Sequence, residues 1–95
     1  MKVIFRYPLK FIGDTNIKIQ KNHTILSITV HPSGQPMLYC VVEDREPADI
    51  EISVRGIMTG EGFEWEDLGP FSRFLGTLNN DGGFVSHFFV TYYGD

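Results

Sequence analysis

Alanine is almost missing from this chain: Ala48 is the only one, and leucine adds only six residues. That scarcity excludes a helical bundle, because these two residues lead the helix formers. Cysteine is as rare. Cys40 stands alone, which rules out an internal disulfide and fits a reducing, cytoplasmic setting. Long apolar runs are absent, so no helix-length span of about 20 residues and no membrane partner is expected. The N-terminal stretch Met1–Pro8 lacks the apolar centre of a leader and reads as a first strand. Histidine is sparse and scattered. His23, His31 and His87 lie in three separate segments with no metal-ligand spacing. There is no Walker loop, no dinucleotide fingerprint and no Gly-x-Ser-x-Gly elbow. No catalytic residue, metal or cofactor is therefore assigned, and a non-enzymatic protein is expected.

What is present speaks for strands. Nine Ile, seven Val, six Thr, eight Phe and four Tyr suit a pleated, half-buried surface, and ten Gly supply turns. The expected fold is all-β: an antiparallel sandwich or a small, partly open barrel of about seven strands. A single domain spans 1–95. At most one short helical turn is expected, over Glu64–Leu68, where Gly69 and Pro70 would stop it.

Along the chain, Lys2–Tyr7 alternates and meets Pro8, which places this strand at an edge or ends it. Asn16–Gln20 alternates with Ile17 and Ile19 inward. Thr24–His31 puts Leu26, Ile28 and Val30 on one face and Ile25, Ser27 and Thr29 on the other. The turn Pro32-Ser33-Gly34-Gln35 makes a hairpin to Pro36–Val42, whose unbroken apolar run predicts cover on both faces. Ile50, Ile52 and Val54 alternate with polar residues, and Gly56 invites a bulge. Phe71–Leu78 and Phe84–Tyr93 form a last hairpin across Asn79–Gly83.

Charge is split along the chain. Residues 1–42 carry five Lys/Arg against one acid, and residues 43–95 carry three Arg against eleven acids. The net charge of −4 argues against direct nucleic-acid binding. The acidic half suits a basic protein partner.

Three features are candidates for recognition. The first is the acidic loop 60–70, with Phe63, Glu64, Trp65, Glu66 and Asp67 as the partner-binding set. Aromatics among charges serve as interface anchors, although Phe63 and Trp65 could equally fold back to plug an end of the sandwich. The second is the last strand, where Phe88 and Tyr92 lie on one side and His87, Phe89 and Tyr93 on the other. With both faces aromatic, a second sheet or subunit must cover the outer one, so a homodimer is expected. The third is a set for a small anionic ligand: Arg6, Arg55 and Arg73, with His87. These arginines could converge, or each could pair with an acid. Catalysis would require Cys40 and His87 to meet in an open cleft.

Several short motifs occur in order: Phe5-Arg6-Tyr7-Pro8-Leu9, Ile25-Leu26-Ser27-Ile28, Gly34-Gln35-Pro36-Met37-Leu38-Tyr39, Arg55-Gly56, Thr59-Gly60, Phe74-Leu75-Gly76-Thr77 and Val85-Ser86-His87-Phe88-Phe89. Over most of its length the chain resembles a family of short proteins of phages and bacterial prophages. The resemblance transfers no activity. It implies stoichiometric binding in the host cytoplasm, blocking a host macromolecule such as a defence or CRISPR effector. The alternatives it implies are a sponge for a nucleotide signal, or a structural or accessory phage component. The acidic, Trp-bearing 60–70 loop departs from the family pattern, and loops are where specificity tends to lie.

Overall fold

Alternating side chains need two faces, one dry and one wet, and two sheets laid together supply the dry one. The computed structural model describes residues 1–80 and 82–92. It contains strands β1 (Lys2–Pro8), β2 (Gly13–Ile19), β3 (His23–Val30), β4 (Pro36–Glu43), β5 (Ile50–Met58), β6 (Ser72–Asn79) and β7 (Val85–Tyr92), with one helical turn, α1 (Trp65–Leu68). Asp81 and Tyr93, which the last hairpin and strand were expected to include, lie outside the described residues. All pairings are antiparallel. A three-stranded sheet has the order β1-β4-β3, and a four-stranded sheet the order β2-β5-β7-β6. The all-β sandwich is thus the observed fold. Among the described residues, no helix is long and apolar enough to cross a membrane.

The core lies between the sheets. Leu38, Cys40 and Val42 of β4 face Ile52 and Val54 of β5 and Phe88 and Val90 of β7, all essentially without solvent contact. Leu9, in the link between β1 and β2, joins them. Close packing of this kind leaves Cys40 no water to stabilise a thiolate, and burial pushes its thiol up to about 11.

Three local expectations are corrected. In β3 the inward residues are Ile25, opposite Cys40, and Ile28, opposite Leu38. The register shifts between Ile25 and Ser27, and Leu26 becomes an exposed extra residue. A bulge reverses alternation beyond it, and a single strand's pattern does not announce one. At Gly56, by contrast, β5 continues in register with both neighbours. The glycine serves a close approach instead: a Cβ there would overlap the Phe11 carbonyl oxygen and press on the Phe88 ring at 3.0 Å. Finally, β4 is covered on one face only. Met37, Tyr39 and Val41 point to the outer side of their sheet and are half-buried.

Candidate functional site

On the four-stranded sheet, β7 alternates Ser86, Phe88, Val90 and Tyr92 inward with His87, Phe89 and Thr91 outward. The outer row would leave a large aromatic in water. The segment 59–71 folds over it instead, so the cover expected from a second subunit comes from the chain itself.

Leu68 anchors that cover. It is 2% exposed, and with the buried Ile57 it lies outside the central core cluster. Both are therefore buried on the outer side of the sheet, under the covering segment. The α1 turn that delivers Leu68 is fastened at both ends. Asp67 Oδ2 accepts the Glu64 N–H at 3.3 Å, and the Gly69 N–H donates to the Glu66 carbonyl at 3.2 Å. Gly69 leaves the turn at φ +82°, a conformation suited to glycine. The Thr91 hydroxyl donates to the Leu68 carbonyl at 2.8 Å, tying the turn to β7.

Fastening Leu68 fixes where the neighbouring aromatics go. Trp65 meets Phe89 edge-on at 6.0 Å between ring centres, and Phe63 meets Trp65 edge-on at 5.3 Å. Phe63 also lies 6.3 Å from Phe89, and Phe74 of β6 lies 5.3 Å from it. Such edge-to-face arrangements hold rings together with one surface still free. Trp65 is 67% exposed, and Phe63 and Phe74 are exposed as well. The plug of this region is thus Leu68, while Trp65 forms the outermost surface of a four-ring patch. Beside the patch is a hollow of about 330 Å³, lined by Ile57, Met58, Thr59, Phe63, Phe74 and His87.

The rim is acidic. Glu61, Glu64, Glu66 and Asp67 all lie in the covering segment, which contains no Lys or Arg. Glu61 Oε1 accepts the Met58 N–H at 3.1 Å, so one of these carboxylates is held in place. Among the partner-binding residues expected from the sequence, Phe63 and Trp65 are together on the patch, with Glu64, Glu66 and Asp67 on the turn that carries it. Phe74 and Phe89 complete the patch; Phe89 was expected on the outer face of the last strand, and Phe74 was missed. Their signal was weak: each sits on an outward register position of its strand, opposite the other. Leu68 was legible only as the one apolar residue closing an acidic run.

The anionic-ligand set is not brought together. Arg6 lies on the outer face of the three-stranded sheet, opposite Tyr39, whereas Arg55 and Arg73 belong to the other sheet. Arg55 holds Asp14 with Nε at 2.7 Å from Oδ1 and Nη2 at 3.0 Å from Oδ2. This two-pronged contact holds the Asp14 carboxyl below its usual range and occupies the guanidinium. A cleft of about 510 Å³ between α1 and the sheet has Arg55 and Asp14 in its wall, together with Asp67.

His87 has both ring nitrogens held by hydroxyls, Thr59 Oγ1 at 2.8 Å and Thr77 Oγ1 at 2.9 Å. It lies on the outer side of its sheet, whereas Cys40 points between the sheets, so the two do not form a catalytic pair. His23 is also engaged, with Nδ1 2.7 Å from the Gln20 carbonyl and Nε2 3.1 Å from the Tyr92 hydroxyl. A carbonyl only accepts, so Nδ1 carries the proton in that contact. Among the described residues, no three His, Cys, Asp or Glu side chains are grouped closely enough to hold a metal ion.

A family model described as a domain of unknown function (DUF7352) matches residues 1–94. No curated protein and no solved structure matches the chain.

Proposed function

We propose that this chain, which belongs to the DUF7352 family, is a non-enzymatic binding protein that docks a basic surface of a host macromolecule on its acid-rimmed aromatic patch. The observation that carries this reading is the state of Trp65. It is held edge-on by Phe63 and Phe89, yet two-thirds of it remains in water. A monomer rarely leaves a contiguous aromatic surface uncovered without using it. The ring is preorganised, so docking costs little side-chain ordering. Four surrounding carboxylates favour a partner that presents Arg or Lys, by cation–π contact with the indole and by charge steering at the rim. A stoichiometric blocker of a host defence protein in the host cytoplasm is what the resemblance of the sequence motifs to small phage and prophage proteins implies.

The test compares affinity capture from host lysate by the wild-type chain and by Trp65→Ala, followed by titration of the captured protein with both. Trp65→Ala should weaken binding by about tenfold or more while changing stability by under about 1 kcal/mol. Reversing the rim with Glu64→Lys should slow association and flatten its dependence on salt. Equal affinity of wild type and Trp65→Ala for every captured protein would end this reading.

A further inference from the structure

Of the four edge strands, three are protected against pairing with another chain. β3 and β6 are bulged, at Ile25/Ser27 and Phe74/Gly76. β2 is regular, but Ile17 and Ile19 are already buried, and its charges are used by Arg55 on Asp14 and by Glu51 on Lys18 at 3.2 Å. Extending the sheet there would cover nothing apolar.

β1 has no bulge, and its only guards are the charges of Lys2 and Arg6 and the missing N–H of Pro8. Its register against β4 is unbroken from Lys2 to Pro8. Two large apolar side chains stand open on opposite faces, Ile4 at 62% and Phe5 at 43% exposure. The backbone on the free side can be assigned. Asp44 N donates to the Met1 carbonyl and Leu9 N to the Pro36 carbonyl, at opposite ends of the same ladder. In an antiparallel pair the bonded positions alternate. Val3, Phe5 and Tyr7 therefore bond to β4, while Lys2, Ile4 and Arg6 turn their N–H and C=O groups away from it. Pro8 falls in that second row, where its missing N–H removes no bond to β4.

We propose that β1 pairs antiparallel with β1 of a second copy about a two-fold axis at Phe5, joining two three-stranded sheets into one of six. Charge selects this register. With Phe5 on the axis, Ile4 lies opposite Arg6 of the partner subunit, and Lys2 lies opposite Pro8 of the partner subunit, so no cation faces a cation. With Ile4 on the axis, Lys2 would face the partner's Arg6 twice, which is unfavourable. In the favoured register, Ile4 and the partner's Arg6 exchange both backbone bonds, and the two Phe5 rings form a cross-strand aromatic pair. An isologous contact of this kind closes on itself and leaves no further free edge at β1. The aromatic patch lies on the other sheet, so this pairing stands independently of the proposed function.

Sedimentation equilibrium on the wild-type chain, Ile4→Lys, and Ile4→Lys combined with Arg6→Glu tests the register, with circular dichroism to check the fold. The wild type should dimerise. Ile4→Lys sets lysine opposite arginine twice and should raise the dimer dissociation constant by about tenfold or more. Adding Arg6→Glu turns both contacts into opposite-charge pairs and should restore the dimer. The amides of Ile4 and Arg6 should exchange more slowly as concentration rises, because only pairing gives them acceptors. A wild-type monomer at millimolar concentration overturns the proposal. So does a dimer indifferent to Ile4→Lys, or a double variant that stays as weak as the single one.

Discussion

Outside the central core, the two outer faces of the sandwich are finished differently. On the four-stranded sheet, segment 59–71 lays Leu68 over the outer side, and Ile57 and Leu68 become as dry as core residues. On the three-stranded sheet, Met37, Tyr39 and Val41 are only half-buried, and Ile4 and Leu26 stand open. The charges differ in parallel. The strands of the three-stranded sheet carry Lys2, Arg6 and Glu43, whereas the cover on the other side carries four acids and no base. One face is thus covered by segment 59–71 and has a chemical character of its own. The other is a bare sheet whose only free backbone of consequence lies along β1. The lesson is that both proposed recognition surfaces lie outside the residues that form the central core.

The largest effect that could break this contrast comes from Leu68→Ala. Removing the plug should cost about 2–4 kcal/mol in urea unfolding and release Trp65 from Phe89, seen as a change in indole fluorescence. A loss under about 1 kcal/mol would mean that the segment is not seated on the sheet. Next is Thr91→Val, which deletes the hydrogen bond to the Leu68 carbonyl. It should cost about 1 kcal/mol, with binding weakened in step with the loosened patch. On the opposite face, Leu26→Thr replaces an exposed bulge residue and should change the unfolding free energy by no more than about 0.5 kcal/mol. If its cost rivals that of Leu68→Ala, the outer face of the three-stranded sheet is covered after all.

Asp14→Asn should have a comparably small effect, and one that depends on pH. Arg55 holds the folded-state carboxyl of Asp14 below the ordinary value of 3.8. The contribution is therefore fully present above that value and disappears as pH falls through the lower, folded one. The pair is largely open to solvent, so about 0.5 kcal/mol is expected at neutral pH, and wild type and variant should converge in acid. A difference that persists in acid would locate the effect elsewhere than in the ion pair.

The fold itself was largely legible in advance. β-Branched and aromatic residues in short alternating runs, separated by Gly, Pro and Asn turns, allow little besides an antiparallel all-β domain. The helical turn at Trp65–Leu68 and the hairpins β3–β4 and β6–β7 follow from local signals as well. The face taken by Leu26 was not legible, because a bulge depends on what the neighbouring strand β4 can pair with. Nor was the role of Gly56, since the Phe11 carbonyl that excludes a side chain there is distant in sequence. Of the aromatic patch, Phe63 and Trp65 stood out as large rings in a polar loop. Phe74 did not, and the cover of Phe89 was not legible, because an outward aromatic on a strand looks the same whether a loop or another subunit covers it.

Composition and local pattern alone determined that this chain is a small β domain with a single thiol, an acidic second half and a Trp-bearing loop. Each of those depends only on residue types and near neighbours. Tertiary structure decided that Leu68 is the plug and Trp65 the surface, that the arginines are kept apart, and that β1 is a regular edge with Ile4 and Phe5 open. Those outcomes depend on which strands become neighbours and which face each side chain takes. Pairing between distant segments sets both, and a single chain read in order does not display it.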